Sequence, residues 1–377
     1  VTTPPLQHTS PHHRRKGTAV DDLASEVEKL PYHKRRTIRS VAGSLGVSPS
    51  TVFKLIAKKF LVPHTNSLLP YLTEENQLSR LLYAASEVER LPGGGWVFKD
   101  GYDVIHLDEK WFYMTEGSLR VYCTQEELED DERKRTRRVQ SKLHIEKVMF
   151  LSAVARPRFD ANGNCTFDGK IGIWPFVRVV LAQRNSVHRD AGTPEIKNIT
   201  VDAETYMNSF LTEVLPAISD KWPDAHGEIF IQHDGAPSHF KDENEDWLLA
   251  AAIFSNVRQL NLKLKYQAPN SPDTNILDLG FFRSLQSLQF QQEPATTTVG
   301  LMNNVRRAFD EYDPKLLNRA FITHQDCMGQ IIEEKGGNDY SISHMGKDRL
   351  EREGQLPVQL PVGDAAWIVL EETLLLP

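Results

Sequence analysis

Three carboxylates in this chain stand where metal-dependent phosphate chemistry is often housed. Asp108 lies where the apolar run opening the stretch Val104 to Tyr113 stops, and Asp234 follows the short strand-like run Glu228 to Gln232. Asp278 lies in N-S-P-D-T-N-I-L-D-L-G-F-F, residues 270 to 282, where Ser271 and Pro272 are expected to start a helix that carries it on an early turn. Taken singly, an Asp closing a strand is usually a turn residue. Two strand-end acids on adjacent central strands and one on a neighbouring helix can instead converge on a pair of divalent cations. Such a pair, about 3.5 to 4 Å apart, activates the attacking oxygen and stabilises the leaving one in phosphoryl transfer. Oxygen ligands, few in number with waters retained, suit Mg2+ better than His or Cys would. His239 is expected either to reach the site or a phosphate, or to serve as a structural hydrogen-bonding group. Asp273 competes with Asp278 for the third place, its ordinary role being an Asx-turn or a helix start.

A second pattern lies near the N-terminus. Ile38, Val41, Ala42 and Leu45 fall on one helical face, and Gly46 is placed to end that helix in a left-handed turn. Ser48 then reads as an N-cap, Pro49 as the first helical position, and Val52, Leu55 and Ile56 as the inner face of a second helix. This is helix-turn-helix spacing. In that geometry Ser50, Thr51 and Lys54 would meet base edges, and Arg35, Arg36, Arg39, Lys58 and Lys59 would face phosphates.

The charge distribution agrees with this division. The 377 residues carry a formal charge of -7, but residues 1 to 66 hold 11 Lys and Arg against 4 Asp and Glu, leaving 33 against 47 for the rest. A basic end on an acidic body suggests that one part touches a polyanion. Cys123, Cys165 and Cys327 share no C-x-x-C spacing, which argues against a disulfide framework or a cysteine zinc site and for a reducing compartment. The longest apolar runs, Ile171 to Ala182 and Ala365 to Leu370, are too short for a membrane span, so no membrane partner is expected, and no small-molecule substrate. The chain shows no signal peptide and begins without Met, so a missing or processed N-terminus is expected.

The elements around these residues follow from periodicity. A helix is expected over Val20 to Leu30, a linker over Leu61 to Leu69, and a helix over Leu72 to Leu91 opened by Thr73-Glu74-Glu75 and closed by the turn Leu91 to Gly95. Strands are expected at Val104, at Trp111 to Met114 and Leu119 to Cys123 as a meander, at Val148 to Val154, and as a pair over Phe167 to Val180. Trp111 and Phe112 read as core residues. Between the meander and the strand at Val148 to Val154 the basic run Arg133 to Arg138 reads as a solvated loop, with nuclear import or DNA contact as its functional alternative. Helices are expected over Tyr206 to Ile218, Thr296 to Tyr312 and Lys315 to Lys335, packing on the sheet or dimerising, while residues 355 to 377 carry little signal beyond a partner-binding strand. The whole reads as an α/β chain with a mixed sheet behind an all-α DNA-binding end: residues 1–66, a linker helix over 67–99, a catalytic domain over 100–290, a helical part over 291–357 and a tail over 358–377.

D-E-K-W-F at Asp108, H-D-G-A-P-S-H around Asp234 and N-S-P-D-T-N-I-L-D-L-G-F-F together resemble the three catalytic blocks of Tc1/mariner transposases, in particular the mariner-like branch of plants and oomycetes. V-M-F-L-S-A-V-A-R-P-R-F-D from Val148, D-G-K-I-G-I-W-P-F from Asp168 and L-E-R-E-G-Q-L-P from Leu350 resemble that branch too, so the likeness covers nearly the whole chain. It implies an RNase H-like catalytic domain and a nuclear cut-and-paste transposase that binds terminal inverted repeats, inserts at TA and works as a dimer. Asp108, Asp234 and Asp278 would hold two Mg2+ or Mn2+ ions. Asp278 rather than Asp273 is chosen because the family's third acid lies in the block before the aromatic pair, here Phe281-Phe282. One departure stands out: where the family has Asp-Asn-Ala, this chain has Asp234-Gly235-Ala236, which removes an amide beside a metal ligand. Gly235 and the absent initiator Met point to a rival reading, a decayed or domesticated copy that binds DNA as a regulator without cutting it. A generic metal nuclease would not need the N-terminal recognition module.

Overall fold

The computed structural model describes residues 20–63, 69–115, 145–185, 189–224 and 226–374. The expected strand at Leu119 to Cys123 and the basic run Arg133 to Arg138 lie outside them. The chain divides into two compact units, residues 1–68 and 69–377.

In the first unit, α1 (Val20–Glu28) and a 3-10 turn (Tyr32–Arg35) precede α2 (Ile38–Leu45) and α3 (Pro49–Ala57). Thr37 caps α2 by accepting from Ser40 N, and Gly46 ends it at φ 65°, a left-handed position that costs a side-chain-bearing residue strain. Ser48 caps α3 through Thr51 N, with Pro49 supplying the first turn. Val27, Val41, Ala42 and Val52 close a small core between the helices, so the turn between α2 and α3 is fixed at both ends.

The second unit opens with α4 (Glu74–Ser86), capped by Thr73. The helix stops at Ser86 rather than running to Leu91. Val88–Arg90 (β1) instead pairs antiparallel with Trp96–Phe98 (β2), and the intervening glycines turn the chain with Gly94 and Gly95 at φ 90° and 88°. Next comes β3 (Val104–Tyr113), a ten-residue strand that includes Trp111 to Tyr113 instead of breaking before them. Its polar centre stays extended because β4 (Lys147–Ala155) pairs with it residue by residue, from Ile105 opposite Ala155 to Tyr113 opposite Lys147. A small hairpin, β5 (Arg158–Phe159) with β6 (Cys165–Phe167), leads to β7 (Lys170–Pro175), and a ribbon of β8 (Val177–Leu181) and β9 (Pro194–Asn198) follows. A helical stretch, α5 (Ala203–Ser209) and α6 (Leu215–Lys221) joined by a π turn, leads to β10 (Gly227–His233), α7 (Glu245–Arg258) and β11 (Leu260–Tyr266).

Five strands form one sheet in the order β11-β10-β3-β4-β7, with β10 parallel to β3 and β11, and β4 antiparallel to β3 and β7. This is the RNase H-like arrangement: three consecutive antiparallel strands, then two parallel ones added beside the first. Period-two alternation sends Ile105 and Leu107 to one face, against Ile229, Ile231, Tyr206 and Phe210, and Phe112 to the other, against Phe150, Leu277 and Phe281.

Ser271 and Pro272 do not begin a regular helix. Residues Pro272–Thr274 make one 3-10 turn, Asn275 returns to extended backbone, and a π turn over Leu277–Phe281 then leads into α8 (Phe282–Gln291). Leu277, Phe281 and Leu285 are fully buried along its inner face. The helices α9 (Thr298–Glu311) and α10 (Pro314–Glu333) cover the Phe112 face. Gly336 at φ 90° ends the α10 segment, and α11 (Lys347–Arg352) follows. The tail is a helix, α12 (Asp364–Leu374), rather than a strand; Ala366, Val369 and Leu370 bury it beside Met328 and Ile331 of α10. Just before it Pro361 bridges Val97 of β2. Among the described residues no helix is long and apolar enough to cross a membrane.

Candidate active site

Asp108 sits in the middle of β3 rather than at its end, but it lies just past the last residue of β3 that β10 pairs with. The register that joins Phe230 to Val104 and Gln232 to His106 brings Asp234, one residue beyond β10, level with Asp108. Parallel pairing stops here, so the backbone opens at the level of the two acids.

Both oxygens of the Asp108 carboxylate are engaged. Oδ1 accepts from Glu109 N at 2.7 Å and Oδ2 accepts from the Asn275 side-chain amide at 2.7 Å. Asn275 uses its own oxygen to accept from Leu277 N at 3.0 Å, which ties the start of the π turn to β3 and brings Asp278 to Asp108. Burial and the negative charges of Asp278 and Glu109 push the Asp108 carboxyl well above its usual range. Burial likewise raises Asp278, against the pull of the Lys110 cation and a hydrogen bond to Asp108. Like charges held together in a half-dry site disfavour ionisation of both. Among the described residues no three His, Cys, Asp or Glu side chains stand ready as a metal-holding group. That agrees with Asp108 and Asp278 bonding each other while Asp234 is engaged by His239.

Asp234 is held by a different set. Its Oδ1 accepts from Ala236 N at 2.9 Å and meets His239 Nδ1 at 2.8 Å, and its side chain is 50% exposed. His239 Nε2 reaches Glu109 Oε1 at 3.0 Å, and the imidazole stacks on the Tyr206 ring at 4.1 Å. Burial opposes a charge on His239, but its bonds to Asp234 and Glu109 outweigh that and push it up to about 10. It is therefore an imidazolium at neutral pH, and its partner Asp234 is held below the usual carboxylate range by that hydrogen bond. Gly235 is at an ordinary φ with nothing within 4 Å of the place a Cβ would occupy.

Asp273 is placed elsewhere. Its carboxylate takes the Arg80 fork at 2.6 and 2.7 Å and the Tyr340 hydroxyl, so it anchors α4 to the loop before Asp278. The loop is also held from Thr274, whose carbonyl accepts from the Gln232 amide at 2.9 Å and meets His324 Nε2 at 3.1 Å. Sequence patterns alone did not single out Glu109, Lys110, Asn275, Tyr206 or Arg80. Glu109 and Lys110 directly follow Asp108 and Asn275 precedes Asp278 by three residues, whereas Tyr206 and Arg80 carry no signal in the sequence.

In the first unit, Arg36, Arg39, Ser50, Lys54, Lys58 and Lys59 are exposed and Thr51 is half-buried. Ser50 and Thr51 both lie within hydrogen-bond distance of the Ser48 hydroxyl, at 2.7 and 2.9 Å. Arg35 differs: its guanidinium donates to the carbonyls of Leu30 and Glu28, closing the end of α1.

No protein-family model and no curated protein matches the chain. Solved structures do. A Mos1 transposase paired-end complex with left transposon end is similar at a TM-score of 0.54 and 16% identity, covering 89% of this chain and 83% of that one. A mariner Mos1 paired-end complex with Mg is similar at 0.53 and 15%, covering 90% and 84%, and a Mos1 strand transfer complex at 0.53 and 15%, covering 89% and 83%. At this identity the likeness speaks for the fold alone, a helical N-terminal region followed by an RNase H-like α/β domain.

Proposed function

We propose that this chain is a cut-and-paste DNA transposase of the Tc1/mariner superfamily, of the mariner-like branch of plants and oomycetes, acting in the nucleus as a dimer on terminal inverted repeats and TA targets. The observation that carries the reading is the meeting of Asp108 and Asp278, with Asp234 level beside them, at the point where β10 leaves β3. The donor chemistry suits hard divalent cations: three carboxylates supply only oxygen, and Asp108 and Asp278 stay raised even with the Lys110 cation beside Asp278, so further positive charge would let both ionise. Asp108, Asp234 and Asp278 would hold Mg2+ or Mn2+, which would supply an activated attacking oxygen and charge stabilisation for the leaving one. The rest falls to the chain. Asn275 and Glu109 N orient Asp108, His239 orients Asp234, and Ser50, Thr51 and Lys54 on α3 are directed at base edges with Arg36, Arg39, Lys58 and Lys59 on phosphates. Arg35 ties down the end of α1 through the carbonyls of Leu30 and Glu28. Water then attacks the phosphodiester at the element end, and the freed 3′ hydroxyl attacks target DNA.

Gly235 favours a second reading, a DNA-binding derivative that no longer cuts. Incubation with a duplex carrying the element's own ends and Mg2+ or Mn2+ separates the two: nicked product supports the transposase, and binding without cleavage supports the derivative. Because Gly235 has open space and an ordinary backbone, Gly235→Asn is sterically permitted. It is expected to lower the metal concentration for half-maximal cleavage about tenfold, the low end of what an outer-shell group contributes. An unchanged metal titration would show that the amide is not missed.

A further inference from the structure

The ribbon of β8 and β9 takes no part in the acid site. Its strands pair with Arg178 directly opposite Lys197 and Val180 opposite Glu195. Alternation therefore places Arg178, Lys197 and Glu195 on one face. Like charges directly opposite destabilise a sheet pair, and the carboxylate beside them is divided: Glu195 pairs with Arg189 and stands 3.8 Å from Lys197. Arg178 and Arg184 have no ion-pair partner among the described residues. Arg178, Gln183, Arg184, Arg189, Glu195 and Lys197 line a concave basin of about 360 Å³. Four cations against the single carboxylate of Glu195 leave the concavity net positive, which favours an anion.

Its position narrows which anion. Val177 and Ile196 pack at the base of the ribbon against the cluster that holds Phe112, Leu277 and Phe281, and the Asn198 amide donates to Lys147 O at 2.8 Å. The ribbon is thus fastened to the face of the sheet that carries Asp108 and Asp278. Since β7 runs parallel to β3 through the antiparallel β4, and Pro175 is level with Phe150 and hence with Lys110, the ribbon leaves the sheet two residues past the level of Asp108. Two strand spacings separate β7 from β3, about 10 Å, and five residues of β8 extend about 17 Å. Both are shorter than one turn of duplex DNA, about 34 Å.

We propose that this basin is a sequence-independent contact for the phosphate backbone of duplex DNA that continues past the acids, an inference that rests on the transposase reading for the identity of its ligand. Guanidinium and ammonium groups along a ribbon neutralise phosphates without reading bases. The test uses the full chain and a fluorescent duplex of arbitrary sequence, with affinity measured across a KCl series. The variant R178Q/R184Q/K197Q is expected to reduce the slope of log affinity against log salt by about 2 to 3, close to 0.9 for each phosphate no longer neutralised. The charge-preserving R178K/R184K should keep the parental slope. If the triple variant does not fold, R178Q and R184Q singly should each remove about 0.9. An unchanged slope in folded variants overturns the proposal, as does a weakening seen with single-stranded RNA and not with the duplex. The measurement does not depend on cutting. A lowered slope in a chain that never cleaves would sink the transposase reading and leave the ribbon contact standing, and cleavage with an unchanged slope would do the reverse.

Discussion

Asp278→Asn should reduce strand cleavage by about three orders of magnitude while leaving the protein at least as stable as its parent. The activity loss follows from removing one carboxylate from an oxygen-only ligand set whose charge stabilisation contributes several kcal/mol, at about 1.36 kcal/mol per tenfold in rate. The stability gain follows from the site as it stands. Asp108 and Asp278 are both pushed above the usual carboxylate range, chiefly by burial, with Asp278's charge adding to the rise at Asp108. A carboxyl raised in the folded state weakens the fold at pH values above its unfolded pKa, about 3.9, so an isosteric amide relieves that penalty at neutral pH. Single-turnover cleavage and urea unfolding of the same preparation check both halves. If Asp278→Asn cleaved normally while folded Asp273→Asn did not, the third acid would have to be reassigned.

Arg80→Met carries the largest expected stability effect, a loss of about 3 to 5 kcal/mol, the range for breaking one side of a buried ion pair. The Arg80 side chain is 1% exposed and Asp273 21%, so little solvent screens the pair. Arg80 also donates to the carbonyls of Gly336 at 2.9 Å and Gly337 at 3.1 Å, and these lose their partner too. Burial alone would raise Asp273, but hydrogen bonds from Arg80 and Tyr340 and the Arg80 charge hold it below the usual range. A carboxylate with a lowered folded pKa contributes stability above its unfolded value and loses it as pH falls through the folded one, so the difference between parent and variant should narrow below about pH 4. The double variant Arg80→Met/Asp273→Leu should cost less than the sum of its parts, because each single change strands the partner's buried charge and the double change strands none. A loss under about 1 kcal/mol for Arg80→Met would show that the pair contributes no more than a solvent-exposed one.

The acids were legible because each follows or interrupts an apolar run, and the local pattern of the helix-turn-helix was legible because caps and a left-handed glycine mark both ends of its turn. What escaped was whatever depended on partners distant in sequence. β3 continues through Asp108 because β4 pairs with it there, and an apolar run alone gives no sign of that partner. The helix expected from Ser271 fails because that hydroxyl donates to Pro269 O instead of capping, and because Asn275 leaves helical backbone to reach Asp108. Glu109 and His239 are 130 residues apart, and Arg80 and Asp273 193 apart, so no local spacing joins them. Arg35 reads as a phosphate contact because it is basic; that it also donates to the carbonyls of Leu30 and Glu28 depends on how α1 ends, which a basic residue alone does not reveal.

The most direct test is metal-dependent cleavage of the element's inverted-repeat ends by the parent chain and by Asp108→Ala. The account predicts strand breaks at the element end with Mg2+ or Mn2+, none on chelation, and a loss of at least about a thousandfold in Asp108→Ala with DNA binding retained. Equal cleavage by the two proteins would contradict it.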